Sequence, residues 1–179
     1  MVVKIKKLIK LIKSLFNKKA KQSINTMKIT TKPIASTIKT TTTKSEVNNR
    51  QLIANLAVNL TNDNIPYLYG GDTLKGMDCS GIVEYVFDQV LKANYPHQTI
   101  LLEAEGQYQS ISQANIGDLL FWGNKGNSYH VAIYIGNNQF VHSPDVGQTV
   151  SIETINSYFK PSFSIKLYIY IYINERLIV

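Results

Sequence analysis

Residues 77–91 read MDCSGIVEYVFDQVL, and this stretch predicts the central helix of the fold. Apolar side chains recur in it at i, i+3 and i+4 spacing, which is typical of a helix that buries one face. The preceding segment, 62–76, is rich in turn-forming glycine, asparagine and proline. We therefore predict a helix that begins at Asp78–Cys79, directly after a turn, and ends near Leu91. Its predicted buried face consists of Ile82, Val83, Val86, Phe87, Val90 and Leu91.

Elements on both sides of this helix predict the fold class. Ser45 can cap an earlier helix from about Glu46 to Leu60, because a serine hydroxyl accepts from the first free N–H groups. Its predicted buried stripe is Val47, Leu52, Ile53, Leu56 and Leu60. Predicted strands follow at 118–122, 129–135, 139–142, about 149–152 and 164–174. Helices followed by antiparallel strands predict an α+β fold.

The charge is distributed very unevenly along the 179 residues, whose formal net charge is +7. Residues 1–45 carry twelve lysines and no acid, whereas 46–179 carry seven basic and all twelve acidic residues. A body of this length can bury a core of its own. We therefore predict a basic arm at 1–25, a Thr/Lys-rich linker at 26–45 and one domain at 46–179.

The predicted arm has apolar residues at helical spacing with lysines between them, from Ile5 to Phe16. A cationic amphipathic helix of this kind can bind an anionic membrane interface or an anionic wall polymer. Lysine interrupts every short apolar run, so no clear signal peptide is present. A solvated basic tail and a degenerate signal are the alternatives. Threonines 40–43 and Pro33 suggest that 26–45 is flexible.

Composition excludes several classes of protein. One cysteine excludes an internal disulfide and a cysteine-rich zinc site. No apolar run is long enough to span a bilayer. The positive charge is confined to the arm, so the body has no basic footprint for nucleic acid.

Cys79 is a candidate nucleophile because it lies where the helix begins. Free N–H groups and the positive end of the helix dipole favour the thiolate, which is the reactive form. The same N–H groups could also stabilise an oxyanion beside the sulfur. The alternative is that Cys79 is a small buried apolar residue.

A thiol nucleophile needs a base and a group that orients the base. His130 and His142 lie on two successive predicted strands joined at residues 136–138. A two-residue loop would place them on opposite faces, and a three-residue loop would place both on one face as diagonal neighbours. His97 is interpreted as a loop residue, and Asp118 is expected to cap a turn. Zinc bound by these cysteine and histidine side chains is disfavoured, because no acid accompanies them in their strands.

Five segments of the body resemble motifs of the NlpC/P60 family of cysteine peptidases, in the order that the family has them. Pro66–Gly71 resembles its P-Y-x-W-G-G turn, and Asp78–Gly81 matches its D-C-S-G nucleophile motif. Two strand motifs and the segment of the third catalytic residue match at 117–122, 130–136 and 141–143. The chain departs from the family at Tyr69, where tryptophan is usual, and at Pro96–Thr99, where an arginine is missing.

The resemblance implies a papain-like α+β core, with helices packed on an antiparallel sheet. It also implies that the protein hydrolyses peptidoglycan stem peptides at the bond between γ-D-glutamate and a diamino acid. It implies that Cys79 is the nucleophile, His130 the base and His142 the orienting group. Tyr67, Asp78 and Ser80 are implied to contact the oxyanion or the substrate. The implied enzyme is a monomer that needs no cofactor or metal.

Two other activities and two locations remain open at this point. The hydrolysed bond could instead be the amide between sugar and peptide, or a bond in a cross-bridge. A protein of another class would bind membrane or wall without catalysing a reaction. The resemblance implies an extracellular or wall-associated protein. The alternative is a cytoplasmic protein released by lysis or delivered by a phage or mobile element.

Overall fold

A computed structural model describes the backbone of residues 34–167 and the side chains of residues 46–167. By its internal contacts the chain divides into the units Met1–Lys39 and Thr40–Val179. The predicted amphipathic arm at 1–25 lies outside the described residues, as does the end of the strand predicted at 164–174. The predicted division into arm, linker and domain therefore stays a prediction.

Three helices are described: α1 at Ile34–Leu60, α2 at Cys79–Leu91 and α3 at Thr99–Leu102. The position of α2 is confirmed, but the predicted start of α1 at Glu46 is wrong, because the helix begins at Ile34. Pro33 precedes this start, and neither glycine nor proline occurs again before Pro66, so nothing in between breaks the helix. Part of the predicted flexible linker is therefore helical. None of the described helices has the length and apolar character needed to cross a membrane.

The buried stripe of α1 differs from the predicted one. Ile53 and Leu60 are buried as predicted, but Val47 and Leu52 are 62% and 45% exposed. The core side of the helix is completed instead by small alanines and by Arg50, which is also buried. The prediction assigned burial by following the large apolar side chains. It overlooked the alanines, because alanine is a weak signal of burial.

Eight strands follow the first helix: β1 at Asp72–Thr73, β2 at Gly76–Met77, β3 at Gly106–Gln109, β4 at Leu119–Asn124, β5 at Asn127–Gly136, β6 at Gln139–His142, β7 at Ser151–Thr154 and β8 at Phe163–Leu167. The first two form a small hairpin, and the others form one six-stranded sheet in the order β3-β8-β4-β5-β6-β7. All pairs in this sheet are antiparallel. The predicted α+β class is confirmed; β1, β2 and β3 were not predicted.

The two faces of the sheet bury different clusters, because successive strand residues point to opposite sides. One face packs against α1 and α2 through residues such as Phe121, Val131 and Ile133. The other face carries Trp122 and Phe140, with Phe159 packed against them. The sheet therefore has an aromatic side separate from its helix-covered side.

The carboxylate of Asp118 joins the start of β4 to three other parts of the fold. It pairs with the guanidinium of Arg50 on α1, accepts from Gln109 Nε2 at 2.7 Å and accepts from the Asn115 N–H at 2.8 Å. Arg50 also donates to the carbonyl of Leu167 at 3.4 Å. The expected turn cap is confirmed, and the same carboxylate also fixes α1 against the sheet.

We expect the Asp118→Asn variant to lower the free energy of unfolding by about 3 kcal/mol, because it removes the buried counter-charge of Arg50 and leaves only the more exposed Glu46. Urea denaturation followed by circular dichroism measures this change. The matched control is Asp63→Asn, since Asp63 is exposed, and it should shift the value by less than about 0.5 kcal/mol. Equal stabilities of the two variants would show that the ion pair does not hold α1 in place.

Candidate active site

The carboxylate of Asp78 fixes the start of α2 and thereby the position of Cys79. Asp78 Oδ1 accepts from the N–H groups of Ser80 and Gly81 at 2.9 and 2.8 Å, the geometry of a helix N-cap. Its Oδ2 accepts from the Gly70 N–H at 2.8 Å. Burial opposes ionisation of this carboxyl, but the hydrogen bonds from Gly81, His97, Gly70 and Ser80 outweigh it and lower its pKa below the ordinary value.

A close backbone contact requires glycine both in the Pro66–Gly71 turn and in the Asp78–Gly81 segment. A Cβ atom at Gly81 would lie only 1.9 Å from the carbonyl oxygen of Gly71, and one at Gly71 would lie 2.5 Å from that of Gly76. The Asp78 N–H donates to the same Gly71 oxygen at 3.0 Å. The start of α2 therefore packs directly on the turn that precedes it, which no residue with a side chain would allow.

A second contact fixes the turn before Cys79 relative to strand β6. The hydroxyl of Ser143, which follows His142, donates to the carbonyl of Met77 at 2.6 Å, and Ser143 is fully buried. Tyr67 adds a backbone bond to the Gln148 carbonyl at 2.9 Å. The buried Ser143–Met77 hydrogen bond therefore joins the segment before Cys79 to the end of the strand that carries His142.

The hairpin between β5 and β6 has the register that places both histidines on one face. Ile133 pairs with Val141 and Tyr134 with Phe140, and the register shifts before Gly136 pairs with Gln139. Asn137 and Asn138 both have positive φ, as a type I′ turn requires. The structure thus combines a two-residue turn with a bulge. Together they give the register that a three-residue loop was expected to give, with His130 and His142 on one face.

His130 and His142 form a buried pair. His130 Nε2 lies 2.8 Å from His142 Nδ1, and the two residues are 7% and 2% exposed. Burial, and then the neighbouring His142, lower the pKa of His130 to about 3; burial alone lowers that of His142 to about 4. Both rings are therefore neutral at neutral pH, and a single proton lies between them.

Aromatic rings enclose the histidine pair. Trp122 meets His130 edge-on at 5.2 Å between ring centroids, and Phe140 meets His142 at 5.1 Å. Phe159 lies 5.7 and 5.8 Å from the two histidine rings. This surrounding is apolar, which accounts for the cost of charging either imidazole.

Cys79, His130 and His142 line one cavity of about 470 Å³, together with Tyr67 and other residues. Burial raises the pKa of the Cys79 thiol above its ordinary value, against hydrogen bonds from the Val131 backbone, the Thr99 side chain and the Ser80 backbone. The helix start favours the thiolate as expected, through the Ser80 backbone, but burial raises the pKa by more in the free protein. Desolvation outweighs the helix start, and the resting pair is a thiol beside a neutral imidazole.

A second cavity, also of about 470 Å³, opens on the other side of the cysteine. Tyr67 and Cys79 line both cavities, while Asp78 and Ser80 line only the second. Burial, and then the nearby Cys79 and Asp78, raise the pKa of the Tyr67 hydroxyl. The tyrosine is therefore a hydrogen-bond donor at neutral pH. All three predicted substrate contacts thus lie beside the sulfur.

Two polar residues near the sulfur were not predicted to take part. His97 lies in a loop, as expected, but its Nε2 is 2.9 Å from Asp78 Oδ1 and its Nδ1 is 3.2 Å from Glu84 Oε2. The Thr99 hydroxyl lies 3.8 Å from Cys79 Sγ. Neither has a sequence signal of its own, because both belong to the segment in which the chain departs from the family motif.

Asp72, Glu84 and His97 are the described residues that could hold a cation, since their ligand atoms lie within 4.8 Å of one another. Both ring nitrogens of His97 already face carboxylates, Asp78 and Glu84. A metal would have to displace one of these contacts. These two carboxylates by themselves account for the placement of the His97 ring.

A family model described as the NlpC/P60 family matches residues 64–167. The chain is 37% identical over 101 residues to the murein DD-endopeptidase MepS/murein LD-carboxypeptidase of Escherichia coli, covering 56% of this chain and 53% of that protein. It is 35% identical over 99 residues to the probable peptidoglycan endopeptidase LytE of Bacillus subtilis, covering 55% and 28%. The chain thus spans about half, or less, of the length of these relatives.

Solved structures agree with the sequence comparison. The crystal structure of the NlpC/p60 domain of the peptidoglycan hydrolase SagA superimposes with a TM-score of 0.62 at 37% identity, and the match covers 66% of this chain and 98% of that one. The fold described above is therefore the fold of such a domain.

The pKa values predict how Cys79 reacts with an alkylating agent. The rate of labelling by iodoacetamide should rise steadily from about pH 6 to pH 9, because only the thiolate reacts and the thiol pKa is raised. Mass spectrometry can follow this without ambiguity, since the chain has one cysteine. As a control, His130→Ala should leave the shape of the pH profile unchanged. A rate already constant by about pH 6 would instead indicate a resting thiolate–imidazolium pair.

Proposed function

The chain belongs to the NlpC/P60 family, and from this premise we propose that it is a cysteine peptidase that hydrolyses peptidoglycan stem peptides. The observation that carries the proposal is one cavity lined by the Cys79 thiol and the buried His130–His142 pair. A nucleophile, a base and a group that orients the base are the parts that covalent peptide hydrolysis needs.

The geometry supports a specific path for the proton. Because His130 Nε2 faces His142, Nδ1 is the nitrogen of His130 that accepts the Cys79 proton while the sulfur attacks the substrate carbonyl. The resulting imidazolium then protonates the leaving amine. The same imidazole next activates the water that releases the acyl-enzyme.

Two donors are suited to the developing oxyanion. The N–H groups of Ser80 and Gly81 already bond to Asp78, so they are not free for the role expected of them from sequence. The Cys79 N–H and the protonated Tyr67 hydroxyl take that role instead. Donors fixed before the reaction lower its barrier because they need not reorganise.

We assign the scissile bond to the amide between γ-D-glutamate and a diamino acid. The cavity beside His142 is lined by the carboxylate of Asp145, which suits the amino group of a diamino acid. On the opposite side, Asp78 Oδ2 accepts one hydrogen bond from Gly70 and retains capacity for a substrate donor. Ser80 lies beside it in the same cavity.

We expect Cys79→Ala to reduce digestion of purified peptidoglycan about 1,000-fold or more, because the nucleophile is part of a catalytic unit. Walls of the lysine and diaminopimelate types should both be tested, with the fragments identified by mass spectrometry. Cleavage at the sugar–peptide amide or in a cross-bridge would replace the proposed bond. Equal digestion by the wild type and Cys79→Ala, or digestion by neither, would contradict the proposed peptidase activity. Such a result would favour a protein that only binds membrane or wall.

For the basic arm at 1–25 we propose attachment to an anionic membrane or wall polymer outside the cell. We expect the full chain to bind anionic vesicles and to dissociate as salt rises, because screening weakens the attraction between exposed charges. Replacing the eight lysines of the arm with glutamine should abolish sedimentation with the vesicles without affecting cleavage of a soluble stem peptide. Salt-resistant binding, or binding by the lysine-free arm, would contradict this role.

Fractionation of cells that express the tagged full chain tests the proposed location. Recovery with the wall or medium from intact cells supports an extracellular enzyme. Recovery only after lysis supports a protein that is released by lysis or delivered by a phage or mobile element.

A further inference from the structure

The buried histidine pair leaves one polar atom unexplained. His142 Nε2 is buried and makes no well-aligned hydrogen bond to any of the described residues. The carboxylate oxygen Oε1 of Glu153, on β7, lies 3.2 Å from it. A buried ring nitrogen without a partner is costly, so this contact has a consequence for the protonation of the pair.

The pair has two possible tautomeric states, because both rings are neutral and one proton lies between them. In the first state His130 Nε2–H donates to His142 Nδ1, and His130 Nδ1 carries the lone pair that a base needs. In the second state His142 Nδ1–H donates to His130 Nε2. The remaining proton of His130 then lies on Nδ1, and the ring cannot accept the proton of Cys79.

The state of His142 Nε2 differs between these two arrangements. In the first it carries a proton and can donate to the Glu153 carboxylate. In the second it presents a lone pair to a carboxylate oxygen at 3.2 Å, which is repulsive. The charge of Glu153 therefore favours the first state over the second, although His130 and His142 both lie between Glu153 and Cys79.

From this geometry we infer that Glu153 is a positioning residue, which holds the His130–His142 pair in the tautomer that makes His130 a base. The inference rests on the proposed function, in that His130 is taken to be the base for Cys79. It extends the chain of interacting groups from three to four: Cys79, His130, His142 and Glu153.

The surroundings of the pair contain no competitor for this role among the described residues. The other carboxylates whose charges act on His130 are Asp145 and Asp78, whereas Glu153 is the described carboxylate that pairs with a ring nitrogen of His142. Trp122, Phe140 and Phe159 occupy the ring faces and edges. Strand pairing sets Glu153 opposite Phe140, which places it diagonal to His142 on the same face.

The direct test is the tautomer of each histidine in the full chain, measured by ¹⁵N-labelled NMR of the imidazole nitrogens. We expect the wild type to carry its protons on Nε2 of both His130 and His142. In Glu153→Gln, whose amide can accept or donate, we expect a mixture that includes the reverse state. His97 is an internal control, since Asp78 and Glu84 hold it independently. Unchanged tautomers in Glu153→Gln would overturn the inference.

Kinetics provide a second readout on a soluble stem peptide. We expect kcat of Glu153→Gln to fall by about 10- to 100-fold, the size seen when a group that orients another is removed, with little change in KM. Glu153→Asp keeps the charge and should recover part of kcat. The matched control is Glu105→Gln, an exposed glutamate outside both cavities, which should leave kcat unchanged.

The outcomes separate this inference from the proposed function. A rise in KM alone would show that Glu153 binds the substrate and does not position the histidines. If the wild type cleaves no stem peptide, the proposed function fails, but the tautomers still decide the role of Glu153. If Glu153→Gln does not fold, Glu153→Ala takes its place in both measurements: a mixture of tautomers with a reduced kcat supports the inference, and wild-type tautomers overturn it.

Discussion

The carboxylate of Asp78 is the constraint on which the position of Cys79, the proposed nucleophile, depends. It caps α2, bonds to the glycine turn before that helix and contacts His97 on the following loop. The same turn is locked by the contact between Gly71 and Gly81. The cysteine therefore lies at a helix start that can neither slide along the chain nor tilt away from its turn.

Burial determines how this site handles protons. A helix start ordinarily lowers the pKa of a thiol, but desolvation of Cys79 outweighs that effect, and desolvation also keeps both histidines neutral. The side chains of Cys79, His130 and His142 are thus uncharged in the free protein. The ability of His130 to accept a proton depends on which of its ring nitrogens is already protonated. The direction of the hydrogen bond between the two histidines determines this.

Sequence patterns predicted the parts of the fold whose signals are local. Helix α2 and strands β4 to β6 follow from periodicity, and the NlpC/P60 core follows from motifs in register; both are confirmed. The buried side of α1 was predicted only in part, because it includes alanines and Arg50 as well as Ile53 and Leu60, and the burial of Arg50 depends on Asp118, 68 residues away. Glu153 was missed for a related reason: its strand is short, and its significance arises only from pairing with β6. The roles of the site residues stay predictions.

The bulge before Gly136 has a consequence for how this gene can change over time. Surface turns ordinarily tolerate insertions and deletions, and the Asn137–Asn138 turn is at the surface. Here, however, loss of the one extra residue would shift the pairing of β6 by one position, and every side chain of that strand would change face. His142 would then point away from His130. The turn is therefore constrained in its length as well as in the positive φ of Asn137 and Asn138.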